Sequence, residues 1–305
     1  MVENFLRYSK EVGKAIKEDQ PIVALESTII AHGFPYPDNI ELAIELEEQA
    51  REVGVIPATI AIIDGELRVG LTKEEIEFLG QSNNIKKASL RDLPVLVSKK
   101  LNGATTVAAT MQIAYLAGID VFVTGGIGGV HRKAEKTFDI SADLKALSEF
   151  PVTVVCAGAK SVLDLPKTKE VLESKGVPIL GYNTEKFPAF YLRDSGLEVD
   201  YPVSNGKEVA DIMVKNMLLE NRNGILVTVP IPKEDELNRA QFNKIIDELI
   251  QEVEDKNIRG KDITPYLLAR IKEETDGASV KANISLVKNN LKAGCKISQA
   301  LKEMR

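Results

Sequence analysis

This chain of 305 residues has few of the side chains from which disulfide-bonded or multi-histidine proteins are built. Its two cysteines, Cys156 and Cys295, lie far apart and form no CxxC pair. We therefore expect neither a disulfide framework nor a thiolate metal site. His32 and His131 are the only histidines, which excludes a metal site built from several imidazoles.

The sequence also lacks long apolar runs and an excess of basic residues. No segment approaches the roughly 20 apolar residues of a membrane-spanning helix. Residues 1–20 have the pattern of a charged amphipathic helix, without the apolar core of a signal peptide. The formal net charge of −6, with both signs interspersed, argues against a surface that coats nucleic acid. We expect a cytoplasmic protein whose partner is a small molecule rather than a membrane or nucleic acid.

Apolar, β-branched runs alternate with helical patterns along the chain. This alternation predicts the α/β class: a single-domain α/β/α sandwich over residues 1–305, with a mostly parallel central sheet. An Asp64-Gly65 pair between two apolar runs predicts a hairpin. The other predicted strands are 21–25, 119–123, 152–156 and 224–229, and the main predicted helices are 39–53, 72–79, 103–116, 144–150, 168–175, 207–220, 234–255, 264–274 and 280–304.

Ligands of such sheets bind beyond the carboxyl ends of the strands. That rule selects the loops after Leu25, Val123 and Cys156. The second of these loops, Thr124–Arg132, has the sequence TGGIGGVHR, in which four of nine residues are glycine. Glycine tolerates positive φ and lets a ligand approach the backbone, so we expect its N–H groups to bind an anion, most simply a phosphate. The alternative is a tight turn that only reverses the chain.

Glu26 directly follows the first apolar strand, where partial shielding from water is expected. Burial raises the pKa of a carboxyl group and suits it to general acid catalysis. A glutamate that caps a helix or forms a salt bridge explains this position equally well.

Lys160 follows Ala157-Gly158-Ala159 at the end of another buried strand. Burial favours the neutral amine of a lysine, which is a nucleophile towards sugar or carbonyl carbon. The alternative is a lysine that pairs with phosphate or is simply solvated.

Asp139 and Asp143 are four residues apart, with Ser141 between them. Carboxylate and hydroxyl oxygens suit Mg²⁺ or Mn²⁺. A helix that begins at this point, with Ser141 as its N-cap and Asp143 in its first turn, accounts for the same residues.

Two further clusters carry polar groups that could bind a ligand. Lys87 and Arg91, in KASLRD, could pair with an anion. Asn283 lies on a predicted helix, and its amide could bind the edge of a ring that carries amide groups. Surface positions without a function are the alternative for each.

A series of motifs spans Leu25 to Asn290 and covers nearly the whole chain. In these motifs the sequence resembles the pseudouridine-5′-phosphate glycosidase family, also called the indigoidine synthase A-like family. The motifs are ALESTIIAHGFPYPDN, KASLRDL, GATTVAATM, FVTGGIGGVHR, DISADL, CAGAKSVLDLPKT, FPAFY, GKDITPYLL and ANISLVKNN.

The resemblance implies reversible cleavage of pseudouridine 5′-phosphate by water to uracil and ribose 5-phosphate. It also implies Mn²⁺ or a similar divalent ion, and a homotrimer. Lys160 would then be the nucleophile that forms an imine with the sugar, Glu26 the proton donor and Asp139 the metal ligand. The implied substrate-binding residues are Lys87, Val107, Ser141, Ala142 and Asp143, with Thr124 and His131 for the phosphate and Asn283 for the uracil.

Two other functions fit the residues taken alone. A lysine and a glycine-rich loop also suit an imine-forming lyase or aldolase that acts on another phosphosugar or C-glycoside. A phosphosugar-binding protein without catalytic activity has no need of the lysine nucleophile, so Glu26, Lys160 and Asp139 together argue against it.

Overall fold

The computed structural model describes residues 5–256, 258 and 263–305. Residues 1–4 of the predicted N-terminal helix and residues 260–262 of the GKDITPYLL motif lie outside this part. The strands are β1 Leu6–Tyr8, β2 Ile22–Leu25, β3 Ile56–Ile63, β4 Glu66–Val69, β5 Lys86–Ala88, β6 Gly103–Thr105, β7 Val121–Val123, β8 Thr153–Cys156, β9 Ile179–Tyr182, β10 Tyr201–Val203 and β11 Ile225–Thr228.

The helices alternate with these strands, as the sequence pattern predicts. They are α1 Lys10–Lys17, α2 Thr28–His32, α3 Asp38–Glu52, α4 Lys73–Gln81, α5 Leu93–Ser98, α6 Val107–Leu116, α7 Ala134–Thr137, α8 Ala142–Glu149, α9 Leu165–Ser174, α10 Gly206–Leu218, α11 Arg239–Asp255, α12 Ile263–Glu274 and α13 Ala278–Met304. None of the helices in the described part of the chain is long and apolar enough to cross a membrane.

The strands form one sheet in the order β1-β4-β3-β2-β7-β8-β11-β9-β10. Strands β5 and β6 form a branch that joins the sheet through β3. The ladders are parallel except where β3 pairs with β4 and with β6. Every residue of β7, β8, β9 and β11 is buried, because helices cover the sheet. The predicted α/β fold with a mostly parallel central sheet is confirmed.

Several local predictions are also confirmed. The Asp64-Gly65 turn joins β3 and β4 as an antiparallel hairpin. The predicted helix over 72–79 is α4, and it begins with a capping box in which the side chains of Thr72 and Glu75 each bond the backbone N–H of the other residue. These features are confirmed because a few neighbouring residues encode each of them.

Other element predictions are wrong. The predicted helix over 103–116 is split, since Gly103–Thr105 forms β6 and only Val107–Leu116 is helical. The predicted helix at the N-terminus is preceded by the edge strand Leu6–Tyr8. Strands β5, β9 and β10 were not predicted. They are only three or four residues long and are defined by pairing with partners distant in sequence.

Candidate active site

A cavity of about 590 Å³ lies beyond the carboxyl ends of β2, β7 and β8. The rule of strand topology therefore predicted the position of this cavity. Nine of the eleven candidate residues line this cavity: Glu26, Lys87, Val107, His131, Asp139, Ser141, Ala142, Asp143 and Lys160.

Glu26 lies at the end of β2, in the wall of the cavity. Its carboxylate accepts a hydrogen bond from the hydroxyl of Thr124, the first residue after β7. Burial raises the pKa of Glu26, and the charge of Asp143 acts in the same direction. The positive charge of Lys160, the Thr124 hydroxyl and Lys87 lower the pKa, but burial is the largest effect. A raised pKa keeps a proton on a carboxyl group at higher pH, as a general acid requires.

Lys160 enters the same cavity from the loop after β8. The turn that carries it depends on Gly158, whose φ of 78° is in the left-handed region. The Lys160 N–H donates to the carbonyl of Ile127 at 3.1 Å, which joins this loop to the glycine turn. The residue is half-buried rather than fully buried as the sequence suggested, because the cavity opens to solvent.

Both cysteines are buried and unpaired. Burial raises the pKa of the Cys156 and Cys295 thiols to about 12. Both therefore stay protonated at neutral pH, and thiolates rather than thiols are nucleophiles. The Cys156 thiol is therefore not a competing nucleophile, although it lies only four residues before Lys160.

Asp143 joins three segments around the cavity. Its Oδ1 accepts from the N–H of Ala108 in the first turn of α6 at 3.0 Å, and its Oδ2 accepts from the N–H of Gly128 at 2.7 Å. Ser141 is the N-cap of α8, with its hydroxyl oxygen 3.2 Å from the Asp143 N–H. The predicted cap at Ser141 is therefore confirmed. Each oxygen of the Asp143 carboxylate accepts a hydrogen bond from a backbone N–H group.

The glycine turn does not offer the row of bare N–H groups that the sequence suggested. Protein acceptors already bind five of its N–H groups: Thr124 to the Val155 carbonyl at 3.0 Å, Ile127 to the Gly158 carbonyl at 3.1 Å, Gly128 to Asp143, Val130 to the Thr168 hydroxyl at 2.9 Å and His131 to the Asp139 carbonyl at 3.0 Å. These bonds hold the turn in shape and leave fewer N–H groups for an anion than the sequence predicted.

The glycines of this turn are required for close packing, and none of them has positive φ. A Cβ added to Gly126 would lie 2.6 Å from Cδ2 of Phe190, and one added to Gly129 would lie 2.7 Å from Cγ2 of Thr168. At Gly128 an added Cβ would lie 2.7 Å from the Cβ of Ser141 and closer still to its hydroxyl oxygen. The expectation that these glycines supply positive φ is therefore wrong, and close packing is the reason that glycine stands at these positions.

Gly128→Ala is expected to destabilise the protein and to lower its activity. The added methyl group must displace Ser141 or Asp143, an overpacking effect of about 1–3 kcal/mol. Thermal unfolding and steady-state kinetics measure the two effects. Gly13→Ala is the control, since Gly13 lies in α1 and an added Cβ would be 3.6 Å from its nearest neighbour, Tyr8 Cβ. A Gly128→Ala protein as stable and active as Gly13→Ala would contradict this account.

Asp139 and His131 both line the cavity, and the His131 N–H donates to the Asp139 carbonyl at 3.0 Å. Burial lowers the pKa of His131, as do the charges of Lys160 and Lys87, whereas Asp139 raises it. Since burial is the largest effect, the imidazole is neutral at neutral pH and can donate or accept a hydrogen bond.

Two candidate residues lie outside the lining of the cavity. Thr124 is buried, its N–H pairs with the Val155 carbonyl at 3.0 Å, and its hydroxyl binds Glu26. It therefore contacts Glu26 and does not line the cavity. Asn283, on α13, faces Gly125, where an added Cβ would lie 3.5 Å from its Oδ1.

The sequence analysis missed several residues that line the cavity. Thr28 and Thr106 belong to quoted motifs, yet only Glu26 and Val107 were selected from those motifs. Lys145 lies one helical turn after Ser141 on α8, and its side chain is 61% exposed. Helical spacing could have identified it, because residues four apart share a helix face. Arg91, which the sequence did suggest as an anion partner, also lines the cavity and is 83% exposed, so the cavity has four cationic side chains together with Lys87, Lys145 and Lys160.

A half-buried glutamate and a half-buried lysine therefore lie at strand ends beside a packed glycine turn. The chain is a member of the family described as indigoidine synthase A-like protein, whose pattern matches residues 11–300.

Its relatives within this family have a more specific name. It is 57% identical over 303 residues to the pseudouridine-5′-phosphate glycosidase of Caldanaerobacter subterraneus subsp. tengcongensis, with 99% of each chain covered. Over 300 residues it is 56% identical to the enzyme of the same name from Alkaliphilus metalliredigens, with 98% of each chain covered.

Two solved structures share the fold. The prealnumycin C-glycosynthase AlnA, in complex with ribulose 5-phosphate, superposes with a TM-score of 0.90 at 37% identity, with 98% of each chain covered. An indigoidine synthase A-like protein from Thermotoga maritima gives a TM-score of 0.88 at 33% identity, covering 98% of this chain and 97% of that one.

Proposed function

We propose that this protein cleaves the carbon–carbon glycosidic bond of pseudouridine 5′-phosphate with water, reversibly, to give uracil and ribose 5-phosphate. The observation that carries the proposal is the placement of Lys160 and Glu26 in the wall of one cavity. The high identity to pseudouridine-5′-phosphate glycosidases over the full chain supports the choice of substrate.

A carbon–carbon glycosidic bond is difficult to break, because departure of uracil through carbon leaves a poor carbanion. We therefore infer that the unprotonated amine of Lys160 adds to C1 as the C1–O4 bond breaks, which opens the sugar ring, and that the proton lost by the amine goes to O4. The nitrogen lone pair then forms the C=N bond while the electrons of the C1–C5 bond move onto uracil. Glu26 donates a proton to uracil C5, and water hydrolyses the imine to release ribose 5-phosphate. A mechanism with two carboxylates is a weaker fit to this leaving group.

The phosphate is best accommodated by the cationic side chains of the cavity. Lys87 lies on β5, and Arg91 and Lys145 are more exposed towards its mouth. His131 lines the same cavity, and its neutral imidazole adds a hydrogen-bond donor. We assign Ser141, Ala142 and Val107 to substrate binding, since the first turns of α6 and α8 face the cavity.

Asp139 is the residue best placed to hold a divalent cation such as Mn²⁺. Among the described residues no group of three acidic, histidine or cysteine side chains could bind a metal. The Asp139 carboxylate, which lines the cavity, is instead proposed as the one protein ligand of a hard ion that keeps most of its water. Such an ion would supply positive charge to orient the oxygens of the phosphosugar.

Asp139→Asn is expected to weaken Mn²⁺ binding by more than about 10-fold, because loss of even an outer partner of a metal ligand costs roughly 10–100-fold. Electron paramagnetic resonance titration with Mn²⁺ measures this independently of activity. Asp211→Asn, at an exposed position on α10, serves as the control. Equal Mn²⁺ affinities in the two variants would remove Asp139 as the ligand.

The direct test is incubation of purified protein with Mn²⁺ and pseudouridine 5′-phosphate, with uracil measured by absorbance and ribose 5-phosphate by mass spectrometry. The reverse reaction from uracil and ribose 5-phosphate should give the coupled product. Absence of both reactions would refute the proposed substrate.

A second candidate is an imine-forming lyase for another C-glycoside or phosphosugar. It is favoured by the similarity to a C-glycosynthase whose structure holds ribulose 5-phosphate. A panel that includes ribulose 5-phosphate and other ring acceptors separates the two candidates.

We further propose that the protein works in the cytoplasm as a homotrimer. The family resemblance is the support for this assembly, and light scattering of the purified protein tests it.

A further inference from the structure

The cavity has two walls that belong to different parts of the sheet. Glu26 and Lys160 lie on loops at the carboxyl ends of the parallel strands β2 and β8. Lys87 and Val107 belong to the β5–β6 branch and the helix that follows it. Strand β2 pairs with β3 and β7, whereas β6 pairs with β3 and β5, so no ladder among the described strands joins β2 to β6.

Hydrogen bonds between the side chains of one wall and the backbone of the other connect the two walls. Thr105, the last residue of β6, donates its N–H to the Ser27 hydroxyl oxygen at 2.9 Å. Its carbonyl accepts from the hydroxyl of Thr28 at 2.8 Å. We call the hydrogen bonds that join Ser27 and Thr28 to Thr105 the clamp. Because Ser27 and Thr28 directly follow Glu26, the clamp connects the proposed proton donor to β6.

The hydroxyl of Thr105 anchors this clamp in the core. It lies 2.7 Å from the Ile60 carbonyl, 2.9 Å from the Thr110 hydroxyl and 3.3 Å from the Ser27 hydroxyl. Since its one proton goes to the carbonyl, the other two hydroxyls donate to it. Ser27, Thr105 and Thr110 are each 0% exposed. A buried network in which each hydroxyl has a partner is rigid, because any displacement leaves a polar group unpaired.

We propose that Ser27 and Thr105 are positioning residues that fix Glu26 relative to the wall that carries Lys87 and Val107. This inference rests on the proposed function, in which Glu26 protonates a base held between the two walls. A displacement of about 1 Å in a catalytic arrangement can cost roughly 100-fold in rate. Neither Ser27 nor Thr105 lines the cavity, so both act through Glu26.

Thr105→Val tests the clamp, because valine keeps the shape of the side chain and removes its hydroxyl. We expect kcat to fall by about 10–100-fold while KM changes by less than about 3-fold, since the displaced acid acts mainly in the transition state. Thr105→Ser, which restores the hydroxyl, is expected to recover most of kcat. Ser27→Ala, which removes the acceptor of the Thr105 N–H, should reproduce the loss and provides a second variant if Thr105→Val folds poorly.

Thr228→Val is the matched control. Thr228 ends β11, is 0% exposed, and donates its hydroxyl to the Leu180 carbonyl at 3.0 Å, but it does not line the cavity. It should lose a similar amount of thermal stability without loss of kcat. Equal kcat in Thr105→Val and Thr228→Val, or a Thr105→Ser enzyme as slow as Thr105→Val, would overturn the proposal.

Crystal structures of the two valine variants give a readout that does not depend on the identity of the substrate. The distance between Glu26 and Val107 should change in Thr105→Val and stay constant in Thr228→Val. An unchanged distance in both would refute the clamp even if the proposed reaction is correct. A changed distance in a protein inactive on pseudouridine 5′-phosphate would retain the clamp and refute only the substrate.

Discussion

Lys160→Ala should abolish turnover of pseudouridine 5′-phosphate while the protein remains folded. Removal of a covalent nucleophile typically lowers kcat by roughly 10⁴–10⁶-fold, because the remaining groups cannot replace the covalent step. The side chain is half-buried at the edge of the cavity, so its truncation leaves the core intact. Steady-state kinetics and circular dichroism measure the two parts of this prediction.

Borohydride trapping distinguishes loss of the nucleophile from loss of binding. In the wild-type protein, ribose 5-phosphate and borohydride should give a stable secondary amine on Lys160, identified by mass spectrometry of the peptide. Lys145→Ala is the matched control, since Lys145 lines the same cavity from α8. It is expected to weaken substrate binding and to keep the adduct. Normal turnover by Lys160→Ala would show that the imine mechanism is wrong.

Glu26→Gln should lower kcat by about 10²–10⁴-fold, the usual contribution of a general acid. Glutamine keeps the size of the side chain and can still accept a hydrogen bond from Thr124, so the loss reports on the proton. An unaltered rate would refute the role of Glu26 as proton donor.

The pH dependence gives a second measurement on Glu26. The acid acts in its protonated form, so kcat/KM should fall as pH rises through the pKa of Glu26 in the free enzyme. Burial raises that pKa, which places the decline above the ordinary range of carboxyl groups. This limb of the profile should be missing in Glu26→Gln.

Glu47→Gln is the control for the pH profile. Burial also raises the pKa of Glu47, but this residue accepts from Thr59 at 2.6 Å and does not line the cavity. Its replacement should change stability and leave the pH limb of kcat/KM in place. Loss of the limb in Glu47→Gln as well would assign it to a general effect of buried carboxyl groups.

The sequence was sufficient wherever a structure is encoded by neighbouring residues. Ser141 was identified as a cap because a serine before a helical pattern binds its own first turn. Glu26 and Lys160 were identified because polar residues at the ends of apolar strands meet at one edge of a parallel sheet. Membership of the family follows from the same motifs.

The sequence was not sufficient where a residue acts on a distant segment. The Asp143 carboxylate bonds backbone 35 and 15 residues away, and this contact explains why the N–H of Gly128 is not available to a ligand. The packing of Gly128 against Ser141 likewise has no local signal. Residues 103–105 resemble the start of a helix until β3 and β5 pair with them.

By itself, the sequence determined the alternation of strands and helices, the loops that carry the site and the two residues proposed for catalysis. The tertiary structure alone decided which hydrogen bonds hold those loops. The Thr124 hydroxyl binds Glu26, the Asp143 carboxylate binds the backbone of two other segments, and Ser27 binds Thr105 across the two walls. The physical reason is the distance along the chain over which each interaction acts. Periodicity and capping act over a few residues, whereas a buried hydrogen bond forms only where folding brings its two partners together.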